Sequence, residues 1–203
     1  MSRKEVVFVY NKIQHYRIEF FEQLSRTYNI TVIHSGEQGL VRDESFKEVI
    51  VHEGKLGPFF YQSNVCKTLI SIEFDVVVIL FDLRYLSSLR IFLSKYQRSR
   101  IVLWGAWLTK NEMANRLRLL FSSFVGANVF YSHKSREDFI TRGLDERKSF
   151  VANNTFHVNA ESYTPKVLDY LLFVGSMDSR KDNKSLILSF GRILRDIPEN
   201  ITL

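Results

Sequence analysis

The chain has 203 residues, 45% of them hydrophobic and 25% charged, with a formal net charge of +6. That balance excludes a disordered tail and leaves room for one substantial core, or for one domain and part of a second. The longest apolar run, Val76 to Phe81, is far short of the about 20 residues a membrane-crossing helix needs; no secretory pattern opens the chain, and the single cysteine, Cys66, excludes an internal disulfide.

From these features a cytoplasmic protein is expected, with Cys66 as buried filler. The positive charge leaves nucleic acid, anionic lipid and phosphorylated ligands open as partners. Basic residues are interleaved with acidic ones and no nucleic-acid motif is present, which argues against the first.

In chain order, Val6 to Tyr10 reads as a strand and Tyr16 to Tyr28 as a helix with Phe20, Leu24 and Tyr28 on one face. Ile30 to His34 is a second strand, and Gly36 to Lys47 and Lys55 to Asn64 read as loops. Val76 to Phe81 is a strand, followed by a helix over Tyr85 to Tyr96 that aligns Leu86, Leu89 and Leu93. After the strand Ile101 to Trp104, Thr109 and Glu112 form a capping box that opens a helix carrying Met113, Leu117, Leu120, Phe121 and Phe124. Ala127 to Tyr131 is a strand; Ser132 caps a short helix that closes at Gly143, and Ser149 to Ala152 is the next strand.

Several of these strands are apolar throughout, as strands covered by helices on both faces must be. The expected fold is α/β: a doubly wound, Rossmann-like parallel sheet. Asn, Thr, Ser and Pro165 then replace periodicity. A strand at Tyr170 to Val174, a helix over Asn183 to Leu194 and a strand opening at Asn200 follow. The expected division is a Rossmann-like N-terminal domain over 1–155, a hinge over 156–168 and the start of a second Rossmann-like domain over 169–203, so that the chain reads as a fragment.

Chemistry concentrates in Leu172-Phe173-Val174-Gly175-Ser176-Met177-Asp178-Ser179-Arg180-Lys181. A strand ends in a glycine, a polar turn follows, and two cations precede a helix. Glycine permits close backbone approach, and cations with a helix N-terminus favour anionic oxygens; a solvated charged turn is the alternative. No metal-ligand spacing occurs among the five histidines, and neither a dinucleotide fingerprint nor a phosphate loop is present. His34 is either a cleft residue or a structural hydrogen-bonder.

This segment resembles the start of the C-terminal domain of family-four glycosyltransferases, the retaining enzymes of GT-B architecture. The resemblance implies that Gly175, Arg180 and Lys181 hold the diphosphate of a nucleotide-sugar donor, with no metal and no further cofactor. Tyr16-Arg17 is similar to the aromatic-Arg pair of that family's opening helix, and Val151-Ala152-Asn153-Asn154-Thr155 resembles its last N-domain strand and turn. Trp104-Gly105-Ala106-Trp107 resembles a bacterial subgroup's Trp-Gly-His-Gly, with Ala106 where the histidine stands.

Arg17, Trp107 and Asn154 are therefore the expected substrate-binding residues, set against capping, packing and turn roles. A bacterial surface glycan or lipid-linked acceptor is implied. Lys95, Arg98, Arg100, Lys110, Arg116 and Arg118 provide a candidate contact with anionic membrane, or an ordinary solvated face. A non-catalytic glycosyltransferase-like binding module is the alternative to the enzyme.

Overall fold

The computed structural model describes residues 2–36, 45–93, 98–154, 175 and 182–193. The chain divides into two compact units, Met1–His157 and Val158–Leu203. In the first, β1 (Glu5–Val9), α1 (His15–Ser25), β2 (Asn29–His34), β3 (Lys47–Ile50), β4 (Glu53–Leu56), β5 (Phe59–Gln62) and α2 (Val65–Ile70) come first. They are followed by β6 (Val76–Leu80), α3 (Leu86–Leu93), β7 (Ile101–Trp104), α4 (Glu112–Phe124), β8 (Ala127–Phe130), α5 (His133–Ile140) and β9 (Ser149–Val151).

Seven strands form one sheet in the order β3-β2-β1-β6-β7-β8-β9, and every pair in it is parallel. The chain builds outward from β1 on one side, then returns to add β6 on the other. This is the reversal of a doubly wound Rossmann-like sheet, so the fold expected from the apolar strands is the one observed.

Alternation along the strands divides the core. Val7, Val9, Val77, Ile79, Ile101 and Leu103 belong to one cluster, which also holds Ile91 and Phe92 of α3 and Phe139 of α5. Phe8, Tyr10, Val32 and Trp104 belong to the other, with Phe21 and the flanking residues of α1. Full burial of Phe21, Phe130 and Phe139 contributes about 1.5–3 kcal/mol each.

Three sequence expectations are corrected. The segments read as loops contribute β3, whose first residue is Lys47, and a β4–β5 hairpin that turns at Gly57-Pro58; Gly57 takes φ +58°, which suits glycine. On α3 the buried residues are Ser87, Ser88, Ile91 and Phe92, while Leu93 is 82% exposed, so the core face lies beside the Leu86-Leu89-Leu93 stripe.

For α4, Asn111 and not Thr109 is the N-cap, its side chain accepting from the Ala114 amide at 3.1 Å. The helix therefore opens at Glu112, too late for a Thr109–Glu112 box. Its buried residues are Asn115 and Ser122, whereas Met113, Leu117, Leu120 and Phe124 are exposed. Ser132 does cap α5, accepting from the Ser135 amide at 3.1 Å, and Gly143 beyond it takes φ +99°.

In the second unit the described residues are Gly175 and 182–193, which include α6 (Asn183–Ile193). The expected strands at Tyr170–Val174 and 200–203, the hinge over 156–168, and Arg180 and Lys181 lie outside the described residues.

Candidate functional site

In a parallel sheet every strand delivers its C-terminal end to the same edge, and in a doubly wound sheet ligands bind outside that edge near the topological switch point. Here the switch point lies between β1 and β6. The residues that leave the strands at this edge are Tyr10 and Asn11 after β1, Ser35 after β2 and Phe81 and Asp82 after β6. Gly105 to Trp107 follow β7, Tyr131 follows β8 and Asn154 lies just beyond β9.

One group centres on Arg17, in the first turn of α1. Its side chain is buried at 3% exposure, and Nη2 donates to the Asn154 Oδ1. The guanidinium carbon lies 4.5 Å from the centroid of the Trp104 ring, 5.5 Å from Tyr16, 5.6 Å from Tyr131 and 5.8 Å from Phe20. Aromatic faces present negative charge, so this cradle attracts the cation. Trp104 itself is buried and packs edge-on against Phe8 and Tyr10, with centroids at 5.9 and 6.1 Å. It is a packing residue in the floor of the cradle.

Gly105, just after β7, lets the backbone lie against the Tyr131 ring. It takes φ +81°, and a Cβ there would meet the Tyr131 ring at 2.6 Å. Burial and then the neighbouring Tyr131 push the Tyr10 phenol well above its usual range, with Arg17 opposing. Tyr10 therefore stays a neutral phenol, leaving Arg17 as the charge of the cradle.

A second group knits β1, β2, β5 and α3 together. Gln62 Nε2 donates to the Tyr10 carbonyl at 2.6 Å and to Ser35 Oγ at 3.1 Å. Ser35 Oγ is 2.8 Å from the Asn11 carbonyl and 3.0 Å from Glu53 Oε2, and Tyr85 donates to the same carboxylate oxygen at 2.9 Å. Burial, then the bond to Glu53, pushes the Tyr85 phenol up as well. His34 is fully buried: its Nδ1 accepts from the Gly36 amide at 3.1 Å, so Nε2 carries the proton and donates to Glu48 at 2.8 Å. Histidine in this arrangement is a structural hydrogen-bonder.

Trp107 is separate from Arg17. It is 42% exposed and lies under the Arg118 guanidinium, 5.8 Å from the ring centroid. Asn115 fastens its loop: the Asn115 side chain accepts from the Thr109 amide at 2.9 Å and donates to the Thr109 carbonyl at 2.8 Å. Nearby, burial works against ionisation of Asp82, but hydrogen bonds from Arg84, at 2.6 Å from Nη2, hold its carboxyl below the usual range.

Of the substrate-binding residues expected from sequence, Arg17 and Asn154 are thus in direct contact, and Trp107 pairs with Arg118 further along the same edge. Gly175 is exposed; Arg180 and Lys181 lie outside the described residues. Cys66 is partly buried, and burial pushes its thiol up. Sequence reading missed Tyr131, Asn115 and the Gln62–Ser35–Glu53–Tyr85 set. For Tyr131 the available signal was its place at the end of an apolar strand. Among the described residues no group of His, Cys, Asp and Glu is placed to hold a metal ion, and no helix is long and apolar enough to cross a membrane.

The parallel sheet and its strand order define a doubly wound, Rossmann-like α/β domain with polar and aromatic side chains at its C-terminal edge. Among solved structures, the chain is similar to UDP-N-acetylglucosamine 2-epimerase from Rickettsia bellii, with TM-score 0.53 and 13% identity over 75% of this chain and 45% of that one. The chain therefore spans less than half of that structure. No family model matches the chain, and no curated protein matches it. At 13% identity the likeness establishes shared fold.

Proposed function

We propose that the chain belongs to a glycosyltransferase that moves a sugar from a nucleotide-diphosphate donor to a bacterial surface glycan or lipid-linked acceptor, with retention and without a metal. The observation that carries this reading is the buried guanidinium of Arg17, held at the ligand-binding edge of a fold shared with a UDP-sugar enzyme. In this reading Arg17, Asn154 and Trp107 face the substrates, Trp107 by stacking its exposed ring on a sugar. Gly175, Arg180 and Lys181 hold the donor diphosphate, where fixed positive charge stabilises oxygens that gain charge as the glycosidic bond breaks.

The test is incubation of the protein with a panel of uridine, guanosine and thymidine diphosphate sugars, following release of nucleoside diphosphate. Release with at least one donor, and its loss in Arg180→Ala/Lys181→Ala, is the expected result. An epimerised sugar still attached to its nucleotide would replace transfer by epimerisation. Absence of both release and donor binding would select a non-catalytic glycosyltransferase-like module, a reading favoured by Ala106. That residue is buried where the resembled subgroup carries histidine, and it brings no functional group to the edge.

Peripheral contact with the inner face of the membrane belongs to the same proposal. Met113, Leu117, Leu120 and Phe124, at i, i+4, i+7 and i+11, form one exposed apolar stripe on α4. Exposed Lys110 and Arg116 flank it, and the Arg98 guanidinium lies 5.2 Å from the Phe124 ring. An apolar stripe rimmed by cations fits an anionic bilayer surface.

A further inference from the structure

Arg17 forms no ion pair with any described carboxylate. Among the described residues its side chain makes one hydrogen bond, to the neutral Asn154 amide oxygen, and its Nε is buried without a partner. The Trp104 Nε1, in the ring against which the guanidinium lies, is buried without a partner too. A buried cation with no counter-charge is costly, and aromatic faces return part of that cost. A buried donor with no acceptor adds to it.

The helix that carries Arg17 has the same deficit. The Gln14 side chain makes no capping bond at the start of α1, and the first turn holds no acidic residue. The Arg17 amide donates to the Gln14 carbonyl at 2.8 Å, but among the described residues the positive end of the helix dipole and the His15 and Tyr16 amides have no side-chain acceptor. An uncapped helix start and a buried, half-satisfied guanidinium in its first turn share one chemical remedy: an oxyanion.

We propose that the first turn of α1 and the Arg17 guanidinium form a receptor for a phosphate-type oxyanion of the substrate. The inference rests on the reading that substrates bind at this edge, but it does not depend on transfer chemistry and stands or falls on anion binding alone. The phosphate has two possible sources, the diphosphate of the donor or a phosphate on a prenyl-linked acceptor, and the recognising chemistry is common to both.

The experiment is isothermal titration of the full chain with inorganic phosphate, uridine diphosphate and geranyl phosphate at fixed ionic strength, with chloride as the control, alongside thermal unfolding. Saturable phosphate binding and a phosphate-dependent rise in Tm are expected. Tenfold tighter binding of uridine diphosphate than of phosphate assigns the donor as the source, and tenfold tighter binding of geranyl phosphate assigns the acceptor. Arg17→Met, which removes the uncompensated charge, is expected to weaken phosphate binding at least tenfold while the anion-free Tm stays level or rises. Arg17→Lys keeps the charge but lacks Nε and the planar fork; it is expected to bind several-fold more weakly with an unchanged circular dichroism spectrum. No saturable binding by the parent, or parent-like phosphate affinity in Arg17→Lys, overturns the proposal. Loss of donor turnover with phosphate binding intact would instead count against the transferase reading.

Discussion

Asn115 is the residue through which α4 holds the Trp107 loop, and Asn115→Ala is the perturbation that isolates it. The side chain is fully buried and closes a ring with the Thr109 backbone, accepting at 2.9 Å and donating at 2.8 Å. Truncation removes two hydrogen bonds, each worth about 0.5–1.5 kcal/mol net, and leaves a backbone amide and carbonyl partly unmet at a further cost of about 1 kcal/mol. The sum is about 3 kcal/mol, or roughly 6–12 °C in Tm for a domain of this size. Chemical denaturation gives the first quantity, and the emission of Trp107, half-shielded beneath Arg118, reports the loop. A red shift at low denaturant is expected before global unfolding, because the loop loses its anchor while the sheet remains. A change in stability within about 0.5 kcal/mol, the range of an ordinary surface substitution, with unchanged emission would refute the assignment of Asn115 as that anchor.

Gly105→Ala should destabilise by about 1–2 kcal/mol, since alanine resists the φ of +81°; the Cβ also displaces the Tyr131 ring, so any ligand response that depends on Arg17 should weaken in parallel. Asp82→Asn tests the pair with Arg84. The folded-state pKa of Asp82 is lowered, so its contribution, on the order of 0.2–1 kcal/mol, is present above about pH 4 and disappears as pH falls through the lower folded value. The advantage of the parent over Asp82→Asn in urea midpoints should therefore shrink below about pH 4, and a constant difference would contradict the pairing. Met113→Ser/Leu117→Ser should reduce binding to anionic vesicles at low salt and leave circular dichroism unchanged, whereas equal binding to neutral vesicles by the parent removes the membrane contact.

The central strands β1, β2, β6 and β7 were legible because burial on two faces demands continuous apolar runs, as in Val76 to Leu80. Lys47 to Ile50 carries no such signal: β3 is an edge strand, paired on one side and without a buried residue. The β4–β5 hairpin carries the aromatic run Phe59 to Tyr61 but buries only Gln62, and its turn cue is Gly57-Pro58. The periodicity of α4 was legible but its orientation was not. An apolar stripe is read as facing the core, yet here Asn115 and Ser122 face inward: the Asn115 side chain is met by the Thr109 backbone, and the Ser122 carbonyl accepts from Asn128 Nδ2. Arg17 could be singled out from the aromatic-Arg pair, but its surroundings come from Trp104, Tyr131 and Asn154. Strand order brings those residues together, and no spacing in the sequence encodes it.

The two halves of the C-terminal edge differ in how far their polar groups satisfy one another, and that difference separates framework from receptor. Around β1, β2 and β5, Gln62, Ser35, Glu53 and Tyr85 satisfy one another within the protein. Around β7 and β8, Arg17 Nε and Trp104 Nε1 remain unmet. Removing a satisfied group strands its partners, whereas removing an unsatisfied one relieves the protein of a burden it carries in the absence of ligand. Gln62→Leu should therefore lose about 1–3 kcal/mol, because the Tyr10 carbonyl is left without its donor, while Arg17→Met should lose little or gain. Paired denaturation curves without added anion make the comparison. Equal destabilisation by the two substitutions would show that Arg17 belongs to the framework as fully as Gln62 does.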